Sequence, residues 1–181
     1  MSERDTVIRS MHDLGLATWF GGSLMGAVGL NGATAEANDP QERTRLSSLG
    51  WKRWSPVAAA AIGVHAIGGA GLIASNSNRV RQQDEAANNT LVKLGLTVVA
   101  AGLTAWSGAL GRKVEQEQQQ GAAGATEPHA GASEGLKAAQ RQLKITQWAI
   151  PAITGTLIVM GAQQGEQQKP SQQLRTRLAS F

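Results

Sequence analysis

Cysteine is absent from this 181-residue sequence, which excludes disulfides, zinc–thiolate sites, iron–sulfur clusters and thiol catalysis. Tyrosine is absent too, and aromatic residues make up only 4% of the chain, as five Trp and two Phe. Charged residues are 17%, below the roughly 25% usual in soluble domains. There is no Gly-x-x-x-x-Gly-Lys-Ser/Thr phosphate loop, no His-Glu-x-x-His pair and no Gly-x-Ser-x-Gly elbow. These absences point away from an enzyme.

The sequence is rich in glycine, with 22 residues, and in alanine, and it contains four long uncharged stretches at 14–35, 54–78, 94–111 and 145–165. A helix needs about 20 residues to cross roughly 30 Å of hydrocarbon. The helices of a soluble bundle carry charges every third or fourth position on their outer faces, whereas here the whole circumference is uncharged four times over. The expected fold class is therefore all-α: an integral membrane bundle of four transmembrane helices with polar loops. The domain is expected over residues 1–165, with spans about 14–33, 55–75, 92–111 and 145–163, followed by a polar C-terminal tail at 166–181. None of the uncharged stretches holds an Asp, Glu, Lys or Arg that would form an ion path, which argues against a coupled transporter.

Ser2 with Asp5 resembles a capping box, so the first helix is expected to begin before the bilayer. The Gln-, Ala- and Gly-rich segment at about 115–134 is expected to be a flexible loop, with Ser133 capping the helix that leads into the fourth span. Trp54-Ser55-Pro56 reads as the start of the second helix. Trp51, Trp54 and Trp148 fall where an indole favours the headgroup zone, and Trp19 and Trp106 are expected to fill core gaps.

A cleaved signal peptide is the lesser reading: Ala33-Thr34-Ala35 fits the cleavage rule, but Arg4 and Arg9 are outnumbered by Glu3, Asp5 and Asp13. The 17 basic residues are scattered in short clusters beside the spans, which suits anionic headgroups and not nucleic acid. An even number of spans puts both termini on one side, taken as cytoplasmic, and the Ala/Gly/Arg/Gln-heavy composition points to a bacterial plasma (inner) membrane.

Small residues let membrane helices approach closely, and Gly22, Gly26, Gly68, Gly69, Thr97, Thr104 and Gly108 are the expected packing positions. Pro151 frees the carbonyl of Gln147 and favours a kink. His65 lies near the centre of the second span, where an imidazole forms an interhelical hydrogen bond or ligates haem or a metal. His12 is the second candidate ligand. With antiparallel spans starting near 14 and 55, it falls level with the end of the second span, away from His65.

The segment His12-Asp13-Leu14-Gly15-Leu16-Ala17-Thr18-Trp19-Phe20-Gly21-Gly22 resembles the first-helix pattern of copper-resistance-D-like small bacterial membrane proteins. That resemblance implies a four-helix membrane architecture and casts His12 and His65 as candidate haem or copper ligands. No Met-rich copper motif accompanies it, since Met11, Met25 and Met160 are isolated. The favoured function is a non-enzymatic packing or accessory component of a membrane assembly, as a homo-oligomer or within a larger complex. The alternatives are a haem- or metal-binding redox protein using His65, and a passive solute channel lined by Thr97, Thr104, Gln147 and Thr154.

Overall fold

The computed structural model describes residues 3–75 and 84–167. Among the described residues the chain is helical with no strand. Ser2 and nearly all of the 166–181 tail lie outside the described residues. Helix α1 (Glu3–Met25) runs through a π-helical turn (Gly26–Leu30) into α2 (Asn31–Ala35). Met25, Leu30 and Asn31 all keep right-handed helical backbone angles, so these pieces form one rod. After a short turn come α3 (Pro40–Ser75), α4 (Asp84–Gln116), a 3-10 turn (Gln118–Gln120) and α5 (Glu134–Gln167).

Three helices are long and apolar enough to cross a membrane: α3, α4 from Ala87 onward, and α5 as far as Gln163. The first expected span does not reach that standard as a single α-helix. The first half of α1 is polar, with Arg9 and Asp13, and the apolar run after it continues across the π turn instead of ending within α1.

The second helix starts well before Trp54, correcting the expected boundary. Asp39 caps it by accepting the Gln41 amide at 2.9 Å, and Pro40 takes the first helical position, where its missing N–H costs nothing. Pro56 is consequently inside the helix, and the Ser55 hydroxyl bonds the Trp51 carbonyl at 2.9 Å just before it.

A second correction concerns the 115–134 connection, which packs against the bundle. Gly121 turns the chain with φ 70, a left-handed conformation that a residue with a Cβ rarely adopts. The Ala122 amide then donates to the Pro40 carbonyl at 3.0 Å, and the Arg43 guanidinium holds the Ala123 carbonyl at 2.7 Å. Ala122, Ala125 and Ala132 are buried. The Ser133 hydroxyl accepts the Leu136 amide at 3.1 Å, so the expected cap on α5 is present.

The helices pack antiparallel in sequence order. Contacts at Ile8–Gly71, His12–Gly68, Gly22–Trp54 and Gly26–Trp51 fix the register of α1 on α3. The main apolar cluster centres on Leu16 and Trp19 of α1, surrounded by Ala61, Ala100, Ile150 and Leu157. A second cluster, with Leu110, Val114, Leu136 and Leu143, closes α4 on α5 at the loop end. Leu136 is fully buried there, and burying such a side chain is worth roughly 2 kcal/mol.

Candidate functional site

Two places gather polar chemistry inside this bundle. The first is built from the two expected histidines, which the fold brings into contact and does not separate. The imidazole rings of His12 and His65 lie with centres 4.2 Å apart and planes tilted by 37°. The expected offset fails because the second helix begins at Pro40, and the short turn after Ala35 sets a register about three helical turns away from one drawn between the uncharged stretches.

Close backbone approach makes this contact possible. A Cβ at Gly15 would stand 2.6 Å from the His65 amide nitrogen, and a Cβ at Gly68 would collide with the His12 backbone. His65 is buried, and its Nδ1–H donates to the His12 carbonyl at 2.9 Å. A carbonyl can only accept, so the proton sits on Nδ1 and the lone pair of the neutral ring is on Nε2. His12 in turn donates from Nδ1 to Asp13 at 2.9 Å.

The pair does not fit an iron held between two imidazoles. Each nitrogen would be roughly 2 Å from the metal on opposite sides, leaving ring centres well beyond 4 Å. Among the described residues, no three His, Asp or Glu side chains converge on a metal position.

Most other expected packing residues lie at helix contacts. Gly22 faces the Trp54 ring, Gly26 the Trp51 ring, and Gly69 the edge of His12. Trp51 and Trp54 thus lie across α1, half-buried. Thr104 accepts the Trp19 indole N–H at 3.2 Å. Thr97 is half-buried, and Gly108 meets only the Arg112 side chain. Trp106, expected in the core, is 51% exposed, whereas Trp19 is fully buried. The hydroxyls of Thr104 and Thr154 bond their own helix's carbonyls at 2.9 and 2.8 Å, and Gln147 is tied to Asn31 at 2.6 Å.

The second place was missed by sequence reasoning. A cavity of about 370 Å³ opens beside the π-helical turn, between Val28, Asn31 and Gly32 on one wall and Lys144, Gln147 and Trp148 on the other. Thr126 and Glu127 of the packed loop form its rim. Asn31 ties the floor together, donating to Gln147 and accepting the Trp51 indole N–H at 2.9 Å. Lys144 and Glu127 form an ion pair at 3.0 Å. Partial burial works against ionisation of Glu127, but Lys144 and the Thr126 amide and hydroxyl outweigh it and hold the carboxyl below its ordinary range. π-helical turns often mark functional sites, but nothing in Gly26-Ala27-Val28-Gly29-Leu30 announces one.

One turn before Lys144, Gln140 is fully buried with neither its amide oxygen nor its nitrogen hydrogen-bonded. Comparisons with protein-family models, curated proteins and solved structures found no match.

Proposed function

We propose that this chain is a multi-pass integral membrane protein that packs, without catalysis, as an accessory component of a membrane assembly. The observation that carries the reading is where the apolar surface points. Only 22%, 11% and 33% of the most apolar stretches of α3, α4 and α5 is buried within the chain. Leu91, Val98, Ile67 and Val159 all face outward, a burden that water would not tolerate and lipid favours.

The distribution of charge supports the same reading. Arg53 and the Lys52–Glu115 ion pair mark one end of the belt, and Arg9, beside the Ile8–Gly71 contact, marks the other. From Arg53 to Gly71 α3 rises roughly 27 Å, close to the hydrocarbon thickness. In this reading the rod from α1 to α2 is the fourth crossing and the core of the bundle, with both termini on one side, assigned to the cytoplasm of a bacterium. An accessory role is favoured by Gly95 and Gly102, one above the other on α4, where an added Cβ meets nothing within 4 Å. Small residues on a lipid-facing helix let a second backbone approach.

The test is alkaline extraction of membranes, followed by cross-linking and sizing of the chain in mild detergent. The expected result is a chain retained in membranes and associated with itself or a partner, with Gly95→Leu and Gly102→Leu reducing the association. A chain released by alkali overturns the membrane reading, and a strictly solitary chain overturns the accessory role.

One observation favours a second reading, a haem- or metal-binding protein with a single imidazole ligand. The Nδ1 bond of His65 to a carbonyl is the arrangement that leaves Nε2 free to ligate. An oxidised-minus-reduced absorption spectrum of the extracted protein tests it. A Soret band lost in His65→Ala supports this reading, and a featureless spectrum from folded protein removes haem.

A further inference from the structure

We infer that the cavity at the π-helical turn holds the headgroup of a phosphatidylethanolamine-type lipid, its phosphate on Lys144 and its ammonium on Glu127. The inference rests on the membrane reading above. Lys144 directly precedes the uncharged stretch 145–165, which places the cavity where α5 leaves the apolar belt. Its volume of about 370 Å³ is within the range of small-ligand sites, roughly 300–1,000 Å³.

The rim matches a zwitterion. Lys144 and Glu127 are paired at 3.0 Å yet remain 58% and 47% exposed, so each keeps an open side. Lys144 gives one of its three ammonium protons to Glu127 and has others for a phosphate oxygen. On Glu127, Oε1 meets Lys144 and the Thr126 hydroxyl, while Oε2, beside Gly124, accepts the Thr126 amide at 3.2 Å. A carboxylate oxygen has room for a second donor, and a primary ammonium supplies one. A quaternary choline carries no N–H, and phosphatidylglycerol offers the carboxylate neutral hydroxyls with no cation to offset its charge. Trp148 and Val28 are 52% and 55% exposed beside the opening, an apolar border suited to the acyl chains.

The full-length chain, purified in mild detergent, is titrated with phosphatidylethanolamine, phosphatidylcholine and phosphatidylglycerol, and bound lipid is read by native mass spectrometry. The expected result is a roughly tenfold preference for phosphatidylethanolamine, the effect of one charge-assisted hydrogen bond. Glu127→Gln should erase that preference, and Lys144→Gln should weaken all three lipids. Gly32→Leu provides a variant that leaves both charges alone. An added Cβ at Gly32 meets nothing within 4 Å, and Leu is the better helix former, so this variant fills the cavity without loss of fold. It should abolish the preference.

Equal binding of the three lipids by a chain that needs detergent overturns this inference and leaves the membrane reading standing. So does a preference unchanged in Glu127→Gln and Gly32→Leu. A chain that stays in solution without detergent overturns both.

Discussion

His65 donates its Nδ1 proton to the backbone carbonyl of His12 at 2.9 Å, and the two imidazoles lie in tilted contact, centres 4.2 Å apart, just beside that bond. The arrangement joins the polar start of α1 to the middle of the uncharged stretch of α3. Removing the hydrogen bond while keeping a ring, as in His65→Phe, should cost about 1 kcal/mol. His65→Ala should cost more, because it also leaves a void. Thermal unfolding in detergent, followed by circular dichroism, ranks the two variants. Equal stability of His65→Ala and the parent would show that the contact contributes nothing.

Gly15 and Gly68 lie against a neighbouring backbone, whereas Gly95 and Gly102 meet nothing. A Cβ at Gly15 or Gly68 runs into the backbone of the facing helix, so Gly15→Ala and Gly68→Ala should separate α1 from α3 and cost roughly 1–3 kcal/mol each. At Gly95 and Gly102 there is open space, and Ala there should stabilise the isolated chain by up to about 1 kcal/mol through helix propensity. Opposite signs in the two pairs are the expected outcome of the unfolding measurement.

Uncharged stretches in the sequence located the bodies of the helices but not their register. The first four turns of α3, from Pro40 to Arg53, carry charges and read as a polar connection. The helix starts at Asp39 followed by Pro40, whereas Trp54-Ser55-Pro56, taken from the sequence as the start, lies mid-helix. Once Pro40 is taken as the start, the short turn after Ala35 leaves α1 little freedom to slide, and His12 falls beside His65. The cavity was not legible in this way. It depends on a π turn without a sequence signature and on a Gly/Ala-rich loop whose order comes from contacts with Pro40 and Arg43.

Acid should loosen that loop. The Glu127 carboxyl is held below its ordinary value of 4.5, so its contribution is complete above that value and is lost as pH falls through the lowered one. Hydrogen exchange across 121–132 should show constant protection from pH 7 to about 5 and a fall below 4.5. In Glu127→Gln the protection should be lower and flat over that interval. A parent loop indifferent to pH 3 would show that the ion pair with Lys144 does not hold it.

Gln140 offers the reverse case, a polar side chain whose removal should help. Both ends of its amide are buried without a partner, and an unsatisfied buried group costs roughly 1–3 kcal/mol. Leu136 and Leu143, four residues before it and three after it on α5, belong to the second apolar cluster, a setting that accepts another leucine. Gln140→Leu should therefore raise the unfolding temperature, and Gln140→Ala should not, because it exchanges an unpaired amide for a void. If Gln140→Leu lowers stability instead, the amide has a partner that its removal exposes. A buried water bonded to both ends would be the first candidate, and measuring the same variant under osmotic stress would identify it.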